Sequence, residues 1–286
     1  MTRHSTDLNF LRQWVDRTET VDDHASASTV AGMAATLDRS DIVTAHGADV
    51  PPLWHWAFFA SRVPQSDIGP DGHPKRGGFL PPVPLARRMW AGGGLEFHHP
   101  LRVGDTVTRA SRIADVNGKE GRSGPLVFVQ VSHKITNALG VAITEQHDIV
   151  YRDQPHSDAP LAAPQAAPGG AEFSREISPD PVLLFRYSAL TFNGHRIHYD
   201  RPYVTEVEGY PGLIVHGPLI ATLLLDLLQR QDPNSRVRRF SFKAVRPLFD
   251  IHPLTVCGRF DDDRRVQLWA HDHEGWLAML ANAELF

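Results

Sequence analysis

Apolar side chains at Ile220, Leu223, Leu224 and Leu227 recur at the i, i+3, i+4, i+7 spacing of one helix face. The positions between them are largely apolar too, so the pattern predicts a helix of about three turns buried on most sides. Pro218 stands in its first turn, where a missing N–H costs nothing. Downstream the period changes to two, at Phe240/Phe242/Ala244, Leu254/Val256/Gly258 and Val266/Leu268/Ala270, followed by the run from Trp276 to Leu285. Separated by Asp, Pro, Gly and Asn, these runs read as antiparallel strands.

The first half of the chain repeats the order. Leu53, Trp56, Ala57 and Ala60 have helical spacing, and strand-like runs follow at residues 106–116, 125–136 and 141–152. Pro100-Leu101 leads into this set as Pro247-Leu248 leads into the other, and turns at Asn137-Ala138-Leu139-Gly140 and His273-Glu274-Gly275 precede each last strand. Residues 117–124, rich in Gly and charge, add a hairpin to the first set. Two further helices are expected near residues 7–17 and 26–39, the second striped by Val30, Met33, Ala34 and Leu37. The pattern predicts an internal duplication, each copy a helix wrapped by antiparallel strands, with the two sheets joined side by side. The copies are expected at residues 1–152 and 181–286. Between them, residues 153–180 read as a loosely structured linker, with Pro160, Pro164 and Pro168 among small residues.

Composition narrows the function. The 286 residues are 42% hydrophobic and 22% charged, which excludes disordered and collagen-like classes. A net charge of −4 offers no basic surplus for a nucleic-acid partner. The single cysteine, Cys257, excludes a disulfide framework and a cysteine zinc cluster, and its place in an alternating strand reads as core packing. No apolar signal core opens the chain, and no stretch approaches the ~18–20 apolar residues of a spanning helix, so a cytoplasmic protein without a membrane partner is expected. The 16 histidines raise the question of metal or acid–base chemistry.

The polar groups of the second half gather just before the buried helix, in Phe192-Asn193-Gly194-His195-Arg196-Ile197-His198-Tyr199-Asp200 and in Ile214-Val215-His216-Gly217. Asn193-Gly194-His195-Arg196-Ile197-His198 resembles the Asp-x-Asn-Pro-x-His signature of the MaoC-like, or type 2, hydratases. In that family an Asp follows two residues on, and an Ile-Val-His-Gly turn enters the central helix, as here. In the first half, Pro51-Pro52-Leu53-Trp54-His55-Trp56, Asp71-Gly72-His73-Pro74, Gly78-Phe79-Leu80-Pro81-Pro82 and Arg87-Arg88-Met89-Trp90-Ala91-Gly92-Gly93 are similar to the mesaconyl-CoA hydratases and their relatives. Those relatives include itaconyl-CoA hydratases and mitochondrial 3-hydroxyacyl-thioester dehydratases.

The resemblance implies an α+β double hotdog, two antiparallel sheets each wrapped around a central helix, with the catalytic motif in the second copy. It implies His198 as the catalytic histidine and Gly217 as the residue whose backbone N–H polarises the thioester carbonyl. His195 and Arg196 stand where the family has Asn and Pro, and Asn193 stands at its first catalytic acidic position. An amide can orient a water but cannot take its proton.

The implied reaction is reversible hydration of a 2-enoyl-CoA, with a C5 dicarboxylyl-CoA such as mesaconyl- or itaconyl-CoA as substrate. The alternatives are a 3-hydroxyacyl-(acyl-carrier-protein) dehydratase and a non-catalytic thioester-binding protein. Such a hydration needs a base, an acid for the α-carbon and a donor for the enolate-like oxygen. A helix-start N–H at Gly217 and a histidine at position 198 suit those roles. Asp200 is either a second carboxylate or a capping group. No cofactor is expected, since CoA arrives on the substrate, and the active unit is expected to be a homodimer or a pseudo-dimeric monomer.

Other signals are weaker. His195 and His198 form an H-x-x-H pair, but helical metal-binding histidines prefer i, i+4 spacing and no third ligand is recognisable, so no metal is expected. His98 and His99 are adjacent and point to opposite sides of any strand. Gly92-Gly93-Gly94 lacks the dinucleotide-binding spacing and reads as a tight turn or close packing, and no G-x-S-x-G elbow occurs. Arg236, Arg238, Arg239, Lys243 and Arg246 are either a solvated strand edge or a CoA-phosphate site, for which Lys243 and Arg246 are the candidates. His195, Arg196, His216 and Trp56 are candidate substrate contacts, with Trp54 and Trp90 beside Trp56. A dicarboxylate would need a cation, and Arg87, Arg88, Arg186 and Arg196 are the candidates.

Overall fold

Helix α4, Gly217–Gln231, is the apolar segment expected from the period, and every residue from Leu219 to Leu228 is buried. Each large aliphatic side chain placed there contributes about 1.5–3 kcal/mol of burial. The computed structural model describes residues 7–121, 124–153 and 163–286. Its other helices are α1 (Leu8–Leu11), α2 (Ala27–Thr36) and α3 (Pro181–Thr191). Ser26 caps α2 by accepting from the Thr29 N–H, and Asp180 caps α3 by accepting from the Leu183 N–H.

The strands are β1 (Thr18–His24), β2 (Arg87–Phe97), β3 (Thr106–Gly121), β4 (Gly124–Asn137), β5 (Gly140–Arg152), β6 (Phe173–Ile177), β7 (Val237–Ala244), β8 (Leu254–Asp262), β9 (Arg265–Asp272) and β10 (Leu277–Leu285). They form one ten-stranded sheet in the order β1-β3-β4-β5-β2-β7-β10-β9-β8-β6. That order maps onto itself when the first five strands in sequence are exchanged for the last five. The halves meet where β2 pairs antiparallel with β7, and α4 packs across β6, β8, β9 and β10. This is the α+β double-hotdog architecture expected from the sequence.

The glycines at the seam have a steric reason. A Cβ on Gly92 would lie 2.6 Å from the Phe242 carbonyl oxygen, and one on Gly93 2.3 Å from that of Gln146. Close packing, rather than a tight turn, explains the glycine run.

The two halves diverge where the first was expected to carry a helix like α4. In the second half the Val215 N–H donates to the Leu248 carbonyl and the Asp250 N–H to that of Leu213. In the first half Val50 donates to Leu101 and Val103 to Ala48 in the same pattern. Val50 therefore corresponds to Val215, and Pro51-Pro52 to His216-Gly217. Beyond that point only a 3₁₀ turn, Trp54–Ala57, forms. Leu53 (φ 69) and Phe59 (φ 58) lie in the left-handed region at its two ends, and such positions interrupt a helix.

Three smaller expectations also change. The helix near residues 7–17 is α1 plus a 3₁₀ turn, Arg12–Trp14, that stops before Asp16 (φ 67). The hairpin expected at residues 117–124 is the tip of one long β3–β4 hairpin rather than an addition to the set, with Gly121 opposite Gly124. Within the stretch read as a linker, Phe173–Ile177 form the edge strand β6 on β8, while residues 154–162 lie outside the described residues.

Candidate active site

The histidine motif is positioned by the way α3 ends. Phe192 (φ 51) turns the chain, and the Asn193 N–H donates to the Ser188 carbonyl. The Asn193 Oδ1 then accepts from the His195 N–H at 3.0 Å, opening the 3₁₀ turn Arg196–His198. Asn193 is thus a turn-forming residue whose carbonyl oxygen is already engaged.

His198 ends this turn with its ring inside the protein, 7% exposed. Its Nδ1 lies 2.7 Å from the Ile214 carbonyl oxygen. A carbonyl only accepts, so Nδ1 carries the proton and Nε2 presents a lone pair. Burial is the main reason that His198 is pushed down to about 4, and the Ile214 hydrogen bond opposes it only in part. At neutral pH it is an uncharged base. The His216 ring stacks on it at 3.6 Å and 17°, with its Nε2 2.8 Å from the Ser188 Oγ. His216 is fully buried between the His198 ring and Ser188, so its ring faces no solvent. It is also the N-cap residue of α4, and its side chain does not cap the first turn. The Gly217 N–H there points along the positive end of the helix dipole.

A loop from the first half closes over this motif. The Arg196 N–H donates to the Asp71 carbonyl at 2.9 Å and the Arg196 guanidinium to that of Pro70 at 3.0 Å. A Cβ on Gly72 (φ +88) would fall 1.8 Å from the Gly194 oxygen, so only glycine permits this contact. The Asp71 Oδ2 lies 3.2 Å from the His73 Nδ1, and the His73 ring lies 4.0 Å from that of His195. His195 is 5.4 Å from His198, edge to face. His73, His195, His198 and His216 therefore form a continuous row of imidazoles that begins at a carboxylate. Burial foremost, then His73, holds His195 far below the ordinary imidazole value, and burial holds His73 and His216 down as well. Burial would raise Asp71, but the side-chain and backbone hydrogen bonds from His73 hold it well below the usual carboxylate range.

A carboxylate oxygen of Asp71 and ring nitrogens of His73 and His195 lie within 4.8 Å of one another. These groups make a set of two imidazoles and one carboxylate, of which the His73 Nδ1 and the Asp71 Oδ2 are engaged with each other.

The other wall comes from the β2–β7 seam. Trp90 packs edge-on against Trp56 (4.9 Å) and Phe242 (5.7 Å), and its carbonyl lies 3.9 Å from where a Gly217 Cβ would stand. Trp56 donates to the Glu145 Oε1 at 2.7 Å, and Glu145 also binds His55 and His147. Burial would raise this carboxyl, but His147 and His55 hold it well below the usual range.

Glu145, His147, Asp71 and His73 were not singled out for their chemistry by sequence reasoning. Glu145 alternates with the inward Ile143 along β5, which was a legible sign. Asp71 and His73 lie in a motif that had been noticed only as a resemblance.

The remaining expected residues divide. The Asp200 carboxylate accepts from the Arg196 Nε at 2.9 Å and from the Tyr203 N–H at 3.1 Å, which is the capping alternative. Arg196 is engaged by Asp200, Pro70 and the Tyr203 ring, and so clamps the loop to the histidine turn. Lys243 is exposed on the face of β7 opposite Phe242, and Arg246 pairs with Asp272 at 3.1 Å. Arg238 and Arg239 pair with Glu284 and Glu96. Cys257 is buried in the core, and burial pushes its thiol up to about 11.

The buried histidines make stability pH-dependent. His198 near 4 and His133 near 3, with His195 and His216 also depressed, stay neutral in the fold while the unfolded chain protonates near its ordinary 6.5. Between those values the unfolded state binds more protons, so stability is full above about pH 6.5 and falls as pH drops toward 4. Each such histidine contributes a slope of up to about 1.4 kcal/mol per pH unit. The unfolding free energy from urea titrations should therefore fall by about 3 kcal/mol or more between pH 7 and pH 4.5. A flat profile would contradict burial of neutral imidazoles.

A double hotdog with an inward histidine beside a helix-start glycine is the arrangement that the resemblance to the type 2 hydratases implied. Residues 53–250 match the model of the family "Hydroxyacyl-thioester dehydratase type 2", and the chain belongs to that family. It is 46% identical over 273 residues, covering 95% of the chain and 96% of the relative, to a mesaconyl-C(4)-CoA hydratase of Chloroflexus aurantiacus. It is 29% identical to a mitochondrial type 2 hydroxyacyl-thioester dehydratase of Schizosaccharomyces pombe, over 72% of the chain and 76% of the relative. Among solved structures, a MaoC-like dehydratase from Phytophthora capsici matches with a TM-score of 0.70 at 16% identity, over 98% of this chain and 99% of that one, and supports the fold.

Proposed function

We propose that the protein adds water reversibly to a 2-enoyl-CoA, and that the acyl group is a C5 dicarboxylyl such as mesaconyl or itaconyl. The observation that carries this reading is the buried, neutral His198, whose Nδ1–H is held by Ile214 and whose Nε2 is left as a base beside the uncapped start of α4. In the forward step a water oxygen bonds to C3 as His198 Nε2 takes its proton. The π pair moves onto the thioester, and the enolate oxygen meets the Gly217 N–H. His198 then returns the proton to C2, so one whole water has been added. The Asn193 Nδ2 group orients that water. The first half cannot repeat this chemistry, because Pro51-Pro52 replaces His216-Gly217 and has no N–H to offer.

The dicarboxylyl preference draws on the similarity to the mesaconyl-C(4)-CoA hydratase and on Arg88. Of the four arginines considered, Arg87 pairs with Glu208, Arg196 pairs with Asp200, and Arg186 is exposed on α3. Arg88 is half-buried, has no carboxylate within ion-pair distance among the described residues, and lies near enough to hold His73 and His195 down. A substrate carboxylate would complete its pairing.

A panel of enoyl- and 3-hydroxyacyl-CoA thioesters, followed at the thioester ultraviolet band, tests the reading. Turnover of mesaconyl- or itaconyl-CoA is expected. Turnover of straight monocarboxylic chains alone would favour the dehydratase activity named for the Schizosaccharomyces pombe relative. Thioester binding without turnover would leave a binding protein.

For the CoA phosphates we take Lys243, which has no ion-pair partner among the described residues. Lys243→Glu should raise KM for the CoA thioester about threefold to tenfold and leave kcat in place, as expected for one exposed charge contact. An unchanged KM removes Lys243 from the CoA site.

A further inference from the structure

We propose that Asp71, carried by the first half, is the carboxylate of this active site. Through His73 and His195 it balances the positive charge that forms on the imidazole row when His198 takes the water proton. The proposal rests on the hydratase reading above and adds to it a residue from the opposite half of the chain.

The need arises from the site itself. Asn193 cannot carry charge, and Asp200 is engaged by Arg196 and the Tyr203 N–H. A lone imidazolium among buried rings is unfavourable, and a second imidazole stacked at 3.6 Å does not relieve it. Asp71 stands at the far end of the same row, with its Oδ2 on the His73 Nδ1 and the His73 ring against His195. Its placement is enforced by backbone contacts. The Asp71 carbonyl accepts from the Arg196 N–H, the Pro70 carbonyl accepts from the Arg196 side chain, and Gly72 lets the loop touch the Gly194 carbonyl.

The charged and titratable groups facing the pair are His195 and His198 on the motif, Arg88 on β2, Arg76 on the loop beyond His73, and Tyr203. Arg76 is held by the carbonyls of Val83, Leu85 and Ala86, and both arginines disfavour protonation of His73. Asp71 therefore supplies the balancing anion on this side. Asp71 and His73 are positioning residues, and the bonds that form and break are those given above.

Asp71→Asn keeps the size of the side chain and removes the charge. It should lower kcat about 30-fold to 100-fold, leave KM within about twofold, and move the acidic limb of the kcat profile to lower pH, because an imidazolium without its anion loses its proton more readily. His73→Gln should show the same direction. Adding Asn193→Asp to Asp71→Asn restores a carboxylate at the motif itself and should recover at least tenfold of the loss, while Asn193→Asp alone should raise kcat by less than threefold; an equal gain in both backgrounds would mean that Asp71 has no charge to replace and would overturn the proposal. Circular dichroism and Tm establish that each variant is folded. If the wild-type chain turns over thioesters while Asp71→Asn keeps its kcat and its acidic limb, the proposal is wrong and the hydratase reading stands. If the wild-type chain turns over none, the hydratase reading fails first. If a chelator abolishes wild-type turnover and added zinc restores it, the cluster is a metal site and the proposal fails.

Discussion

Replacing His198 by asparagine should lower kcat by about 10³-fold, within the range general acid–base groups contribute. The asparagine Nδ2 stands where the His198 Nδ1 donates to the Ile214 carbonyl, so the turn that carries residue 198 keeps its bond while the basic nitrogen is lost. KM should change little, because His198 acts on the water and not on the CoA moiety. The loss should not be recovered at higher pH, since the wild-type histidine is already neutral there. Turnover retained within tenfold in the thioester assay would remove His198 from the reaction.

A second large effect is expected far from the chemistry, at Asp226. This α4 carboxylate is 2% exposed and accepts from Arg39 at 2.6 Å, from Arg175 of β6 at 3.1 Å and from Arg230 at 2.8 Å. Arg230 also donates to the Leu37 and Asp38 carbonyls, so the cluster ties the end of α2 to the central helix. Asp226→Ala should lower stability by about 3–5 kcal/mol, because it leaves the 6%-exposed Arg39 with only Asp41 as an ionic partner. The expected fall in Tm is roughly 10 °C. Arg230→Ala, at a half-exposed position, should lower stability by no more than about 1 kcal/mol. Equal small losses for both variants would mean that the cluster is solvated like a surface pair.

The elements of the second half were readable because each buries one face. A helix period ending in a period-two run leaves one arrangement of α4 with β7 to β10, and the structure follows it closely. The helix expected at Leu53–Ala60 failed for a local reason. Four apolar positions at the right spacing do not reveal that the backbone turns left-handed at Leu53 and Phe59. Strand β6 was hidden because five residues next to prolines and glycines carry too little pattern, and pairing with β8 decides their conformation. In the site, His198 and Gly217 were legible through their motif. Arg196 and Asp200 were legible as charges but not as each other's partners.

The chain by itself thus determined that two related halves exist, that the second carries the histidine turn and the buried helix, and that Asn193 replaces an acid. The first two follow from spacing along the backbone, which sequence records directly, and the third from the resemblance of the motif to the type 2 hydratases. Only the tertiary structure decided that a loop some 120 residues upstream of the motif, an interval visible in the numbering alone, sets Asp71 and His73 beside it. The same holds for the burial that keeps His198 neutral. Proximity between distant segments and loss of water are properties of the packed molecule, created when β2 meets β7 and the first half closes over the second.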